Sequence, residues 1–288
     1  MVSILQDSGV ILNIQLVVAD IDGTFTHSLH EPAAGALDAV RALREGGIAF
    51  TFCSGRGDPG IRPFVEMAAL DLPYIVSAGA AIRNPRDQSV IFQQVMTADQ
   101  VSALLRLGIA SNSNIILHTP TRMYVLAPDS FWQEVCQRIW IQQGGWKNIF
   151  RCASASDVPT EPVIHIHLFN RDEVLPPLAE QVNALPLNLH ANNVVSKLEV
   201  VDRTVNKGHA LARLADHLHI PLANILAIGD DVNDISMLNA AGIGVAMGNS
   251  PAQVIRQAGY VAPANDRGGF AATIHHLLAG TLDQLKTT

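Results

Sequence analysis

Asp20-Ile21-Asp22-Gly23-Thr24 follows directly on the apolar run Ile14-Gln15-Leu16-Val17-Val18-Ala19, and this junction decides the fold. A nearly unbroken Leu/Val run that stops at acidic residues and a glycine is the pattern of a buried parallel strand delivering two carboxylates to the carboxyl edge of its sheet. That edge is where open α/β sheets bind their ligands. Free carboxylates are almost fully ionised at neutral pH, so one aspartate can attack phosphorus while the other, two residues on, moves a proton to or from the leaving oxygen. Alone, the five residues read equally well as an acidic turn in which glycine supplies a left-handed conformation.

Outward from this junction the chain alternates. Residues 32–45 carry apolar side chains at helical spacing (Ala36, Leu37, Val40, Leu43) and stop at Gly46-Gly47, a helix-end signal. A strand over 48–53 ends in Ser54-Gly55-Arg56-Gly57, a helix follows around 61–69, and a strand over 74–77 comes next. Strand, helix, strand, helix, strand predicts a doubly wound, Rossmann-like parallel sheet. The middle breaks the rhythm. A hairpin over 81–94 turns at Asn84-Pro85-Arg86-Asp87, helices (98–107, 130–141) then mix with strands (115–117, 123–126, 163–169), and 144–162 reads as a polar loop. The alternation resumes with a strand over 194–201, a helix over 207–218 and a buried strand over 224–228 that ends in Gly229-Asp230-Asp231-Val232-Asn233-Asp234. The division this predicts is an α/β core made of 1–92 and 192–288, with a mixed α/β domain, 93–191, inserted in it.

The 288 residues are 48% apolar, enough for one large core or two modest ones. A formal charge of −7, with no Lys/Arg cluster to offset it, argues against nucleic acid and anionic membranes as partners. Cys53, Cys136 and Cys152 lack metal-ligand spacing and fit reduced thiols. The first fourteen residues have no Lys or Arg, and Asp7 and Asn13 interrupt their apolar run, unlike a signal peptide. No apolar run approaches the ~20 residues that span a bilayer. The expectation is a soluble, cytoplasmic protein, monomer or homodimer.

Three strand ends carry chemistry: Asp20 and Asp22, Ser54, and Asp230 to Asp234. If the strands lie side by side, their loops converge at one switch point. Lys207 opens a helix in Asn206-Lys207-Gly208, the wrong end for the macrodipole, so a nearby negative group is expected to want it. Asp20-Ile21-Asp22-Gly23-Thr24, Cys53-Ser54-Gly55-Arg56, Asn206-Lys207-Gly208-His209-Ala210-Leu211 and Gly229-Asp230-Asp231-Val232-Asn233-Asp234 resemble, in order, the four motifs of the haloacid dehalogenase (HAD) superfamily. Gly244-Val245-Ala246-Met247-Gly248-Asn249 and Asn265-Asp266-Arg267-Gly268-Gly269 resemble its Cof-like, class IIB phosphatases, whose cap is an inserted α/β domain of the C2 type.

The resemblance implies a Mg²⁺-dependent phosphatase acting on small phosphorylated metabolites, sugar phosphates foremost, through an aspartyl-phosphate. Asp20 would be the nucleophile and Asp22 the general acid and then base. The Asp20 and Asp230 carboxylates and the Asp22 main-chain carbonyl would hold Mg²⁺. Lys207 would lower the repulsion between carboxylate and phosphate. Ser54, the Gly55 amide and Asn233 would hold phosphoryl oxygens, Asp234 would position Lys207 or a metal-bound water, and Thr24 would order the motif loop. One position departs: Cof-like enzymes commonly show Asn-Gly-Ala after the third strand, and this chain has Ala78-Gly79-Ala80.

In the insertion, His165 and His167 alternate and share one strand face, as do Arg122 and Tyr124. All four are candidate substrate contacts from the cap, with a surface strand as the alternative. A zinc site at His165 and His167 lacks a third ligand that the sequence would place. Two other functions stay open: a phosphomutase of the same superfamily, and a non-enzymatic phosphoacceptor or ligand sensor, against which the inserted cap and Asp22 both speak.

Overall fold

The computed structural model describes residues 2–5, 11–28, 31–140, 148–158, 160–194 and 196–286. The chain opens with an antiparallel pair, β1 (Val2–Leu5) and β2 (Ile11–Ile14), and then enters β3 (Leu16–Ala19). There follow α1 (Ala36–Glu45), β4 (Ala49–Phe52), α2 (Asp58–Met67), β5 (Tyr74–Val76), β6 (Ala81–Arg83) and β7 (Val90–Gln93). The insertion contains α3 (Ala98–Ala110), β8 (Asn114–His118), β9 (Met123–Leu126), α4 (Asp129–Trp140), β10 (Ile149–Cys152), β11 (His165–Phe169), α5 (Leu175–Ala184), β12 (Leu189–Val194) and β13 (Lys197–Asp202). The core resumes with α6 (Lys207–Leu218), β14 (Ile225–Gly229), α7 (Ile235–Ala240), β15 (Ile243–Ala246), α8 (Ala252–Ile255), β16 (Tyr260–Val261) and α9 (Gly269–Leu278).

The core sheet runs β16-β15-β14-β3-β4, every pair parallel. The two faces of β3 feed different clusters. Val17 and Ala19 pack under α1 and α9 with Phe52, Phe270 and Ile274, and Leu16 and Val18 pack under α6 and α7 with Leu211, Leu214 and Met237. Leu16, Val17 and Val18 are completely buried, each side chain contributing about 1.5–3 kcal/mol by area. Ala19 lies beside Phe52 on one neighbour and Ile228 on the other. The three strands therefore end in one row, and their loops leave the sheet together.

The inserted domain is a six-stranded mixed sheet, β10-β9-β8-β11-β13-β12. α3 and α5 cover one face through Leu104, Leu175, Leu178 and Val182. The other face is covered at one end by Phe131 and Trp132 of α4, which pack with Ile116, Val125 and Phe169. Its remainder, carrying His118, His165, His167 and Glu199, meets the core. A Cβ added at Gly57 would lie 2.3 Å from His118 Nδ1, and one at Gly55 would lie 3.3 Å from Glu199 Oε1.

Three expectations need correction. The strand expected to return to the core within 192–288 instead pairs antiparallel with β11 and β12, so β12 and β13 belong to the inserted sheet and the chain re-enters the core after Asp202. The strand over 74–77 touches β4 only at a Cys53–Ile75 bridge and heads a separate antiparallel sheet, β5-β6-β7. It is three residues long and is followed at once by left-handed residues, so the next hairpin takes its hydrogen bonds. The loop over 144–162 contains β10, an edge strand parallel to β9, in which Ile149 and Cys152 are buried and Phe150 and Arg151 exposed, a pattern too short to read. Cys53 and Cys152 are buried free thiols, and the side chain of Cys136 lies outside the described residues.

Candidate active site

Asp20 leaves β3 with its amide donating to the Ile228 carbonyl at 2.9 Å, so the parallel ladder itself sets its position. The following turn, Ile21 to Phe25, is irregular, with Gly23 at φ +76°. A side chain there would also run into Asp230, since an added Cβ would lie 2.2 Å from its Oδ2. Gly23 is thus required twice, by conformation and by close approach. Phe25 pins the far end of the turn in the core, edge-on to Phe52 at 4.9 Å and Phe270 at 5.2 Å.

Lys207 is 1% exposed, and its Nζ donates to Asp20 Oδ1 at 2.7 Å and Asp234 Oδ1 at 2.5 Å. The negative groups expected at this helix start are therefore two carboxylates. Burial works to lower the Lys207 pKa, but the charges of Asp20 and Asp234 outweigh it and raise it well above the usual lysine value. The ammonium stays charged. Burial pushes Asp20 well above the ordinary carboxylate range; Lys207 works against this, while Asp234, Asp230 and Asp22 add to it.

Asp234 turns its second oxygen, Oδ2, to the amides of Asp230 (2.9 Å) and Asp231 (3.0 Å). With both oxygens engaged, it positions the loop and Lys207. Asp230 accepts from Thr24 Oγ1 at 2.8 Å and from Asn249 Nδ2 at 3.3 Å. Its pKa is pushed up to about 7, by burial first and then by the charge of Asp234, against the Thr24 hydrogen bond. Carboxylate oxygens of Asp20, Asp230 and Asp234 lie within 4.8 Å of one another. Such a crowd of anions, with one lysine to share, has an all-oxygen donor set that fits a hard divalent cation.

Asp22 faces Asp20 from the same turn but is gripped by Arg56, whose Nε donates to Oδ2 at 2.8 Å and Nη2 to Oδ1 at 2.5 Å. Partial burial works against the charged form, yet the Arg56 hydrogen bonds and charge outweigh it, helped by Lys197 and Lys207, and hold the carboxyl below its usual range. Ser54 is buried at the end of β4, its Oγ accepting from the Arg56 amide at 3.1 Å and its carbonyl from the Ala78 amide at 3.0 Å. Ala78 is left-handed, φ +57°, a conformation asparagine tolerates better than alanine. Gly79 then packs on the carbonyl of Asn206, next to Lys207. Asn233 holds a buried Oδ1 without a hydrogen-bond partner.

The structure thus brings Asp20, Asp22, Thr24, Ser54, Gly55, Lys207, Asp230, Asn233 and Asp234 to one sheet edge. His165 and His167 face that edge from the cap, completely buried or nearly so rather than solvated, and the third histidine that the sequence did not place is His118, directly opposite His165 on β8. Arg122 and Tyr124 do not join them. Tyr124 lies opposite Leu117, on the helix-covered face of the cap sheet, stacked on Phe150 at 5.3 Å, and Arg122 pairs with Glu161. Two residues quoted within motifs but given no role are structurally prominent. Arg56 holds Asp22, and Asn249 donates to the Gly23 carbonyl at 2.9 Å as well as to Asp230, while its Oδ1 accepts from the Asn265 amide. Their motif positions were the only signal.

A family model described as haloacid dehalogenase-like hydrolase matches residues 17–274. The chain belongs to this family. A putative phosphatase of Bacillus subtilis, YxeH, is 24% identical over 273 residues, covering 92% of this chain and 98% of its own length. Among solved structures, a haloacid dehalogenase-like hydrolase from Bacteroides thetaiotaomicron superposes with a TM-score of 0.80 at 24% identity, over 92% of this chain and all of that one. A HAD subclass IIB sugar phosphatase superposes with a TM-score of 0.76 at 21% identity, over 91% and 98% of the two chains. The fold is that of the subclass IIB enzymes. No helix among the described residues is long and apolar enough to cross a membrane.

Proposed function

We propose that this hydrolase, a phosphatase like its named relatives, cleaves small phosphomonoesters, sugar phosphates among them, by passing the phosphoryl group through Asp20. The observation that carries the reading is the buried Asp20–Lys207–Asp234 chain: a carboxylate at a strand end, its Oδ1 fixed by an ammonium whose proton the two aspartates hold. An Asp20 oxygen attacks phosphorus, the P–O bond to the alcohol breaks, and the leaving oxygen takes a proton from Asp22. Water then attacks the aspartyl-phosphate, giving its proton to Asp22, and inorganic phosphate leaves.

The Arg56 grip suits the second step, in which Asp22 must be an ionised base. For the first step Asp22 must carry a proton, and a phosphate dianion beside it favours that by raising its pKa. Ser54, the Gly55 amide and the unpartnered Asn233 amide are the neutral donors and acceptors for phosphoryl oxygens and bound water. Asp20 and Asp230, with the Asp22 carbonyl, would hold Mg²⁺, which when bound supplies positive charge against the phosphate and the carboxylates. The cap covers the edge at Gly55–Gly57, where it would limit water's access to the reacting groups.

The test is phosphate release from p-nitrophenyl phosphate and a panel of sugar phosphates, with Mg²⁺ and with EDTA. Wild type should release phosphate only with metal, and Asp20→Asn should lose at least about 10⁴-fold in kcat while keeping its circular dichroism. Undiminished turnover by folded Asp20→Asn would remove Asp20 as nucleophile. Transfer to a second sugar without net phosphate release would make the chain a mutase.

A further inference from the structure

The phosphoryl-transfer chemistry leaves unused the histidine face of the cap. His118 ends β8, His165 and His167 lie two apart on β11, and the register sets His165 opposite His118. The ring centroids are 4.3 to 5.2 Å apart, and one nitrogen of each ring lies within 4.8 Å of one nitrogen of each of the others. His165, His118 and His167 are 0%, 1% and 5% exposed. One contact links them, His118 Nε2 to His167 Nδ1 at 3.1 Å. His118 Nδ1, both nitrogens of His165, His167 Nε2 and Oε2 of the adjacent buried Glu199 have no hydrogen-bond partner.

Buried polar atoms are nearly always paired, because leaving one unpaired costs about 1–3 kcal/mol. Three rings with one nitrogen each within 4.8 Å of the others, and His165 with neither nitrogen paired, are a donor set awaiting something. We propose that His118, His165 and His167 form a second metal site, for a nitrogen-preferring dication of the Zn²⁺ class, with Glu199 or a water as fourth ligand. Imidazole nitrogens suit such an ion, whereas the all-oxygen cluster at Asp20 and Asp230 suits Mg²⁺, so donor chemistry sorts the two metals. Zinc to nitrogen distances of about 2.0–2.1 Å put tetrahedral ligand atoms about 3.3 Å apart, so His118 Nε2 and His167 Nδ1, 3.1 Å apart, are already near that value and any other pair must close by at most about 1.5 Å.

Charge allows it. Glu199 contributes the negative charge, its Oε1 3.6 Å from His167 Nε2. Lys197 is the opposing cation, 2.8 Å from the same Oε1, with a side chain 24% exposed and so able to turn to water. The site is built wholly from the inserted sheet, against Gly55 and Gly57 of the core.

The experiment is Zn²⁺ and Co²⁺ titration of chelator-stripped protein in excess Mg²⁺, read by metal analysis and by Co²⁺ absorption. The expected result is one tightly bound Zn²⁺ per chain, with Co²⁺ giving a tetrahedral spectrum. Asp230→Asn should retain it, and His165→Gln and His167→Gln should each weaken it by at least about 100-fold. His165→Leu, which removes two unpaired nitrogens and should fold well, repeats the loss if the glutamine variants unfold. No stoichiometric Zn²⁺ in excess Mg²⁺ would overturn the proposal. So would binding that survives His165→Leu, or binding lost in Asp230→Asn, which would assign the ion to the aspartates.

Discussion

Two acid/base-rich surfaces face each other across Gly55–Gly57, and they are built in opposite ways. On the core edge Asp22, Asp230 and Asp234 have both carboxylate oxygens engaged and Asp20 is fixed through Oδ1. On the cap sheet the histidines and Glu199 are more deeply buried than Asp22, yet most of their polar side-chain atoms have no hydrogen-bond partner. The first surface is set before any ligand arrives, as a site for charge developing at phosphorus needs to be. The second completes itself only with a ligand.

The comparison breaks first at its brace. Asp58, at the start of α2 beside Gly57, is buried with Arg62 on Oδ2 at 2.9 Å, and on Oδ1 Tyr74 at 2.7 Å and Arg83 at 3.2 Å. Asp58→Ala leaves Arg83, 2% exposed, as an unpaired buried cation and should cost about 3–5 kcal/mol in urea unfolding. A loss below about 1 kcal/mol would mean the seam is not braced there. Arg56→Ala tests the pairing that holds Asp22 ionised. Removing it should raise the Asp22 pKa, move the acid limb of the aspartyl-phosphate hydrolysis rate to higher pH, and lower activity by about 10–100-fold. An unmoved limb would detach Asp22 from that limb.

The histidine face should answer with the opposite sign. In chelator, His165→Leu should raise stability by about 1–3 kcal/mol, because two buried unpaired nitrogens disappear into apolar volume. Destabilisation would show that water or a protein partner satisfies them. The smallest effect is expected at Ala78→Asn, which relieves a left-handed alanine and should gain about 0.5–1 kcal/mol in thermal unfolding.

How much of this was legible in the sequence follows the same divide. β3, β14 and the start of α6 each announce themselves locally, through an apolar run that ends in aspartates or a cap followed by lysine, and the row Ala19, Phe52, Ile228 brings their residues together as parallel pairing predicts. What could not be read depends on partners distant in the chain. β13 alternates like a core strand and is claimed by β11 and β12. β10 is an edge strand of four residues. His118 looks like the polar end of a short run, and only the β8–β11 register shows it opposite His165. Arg56 was visible as a letter in a motif, but its hold on Asp22 is a contact across 34 residues.

The route back from cap to core has a mechanical consequence. β13 ends at Asp202 and α6 begins at Lys207, so residues 203–206 alone join the inserted sheet to the helix that carries the ammonium. Four residues span at most about 14 Å when taut. The cap is thus joined to α6 by a short tether whose anchor is the residue gripping Asp20, and the Asn206 carbonyl at that anchor is wedged against Gly79. A shift of the inserted sheet at Asp202 would thus be felt within four residues by the ammonium that holds Asp20.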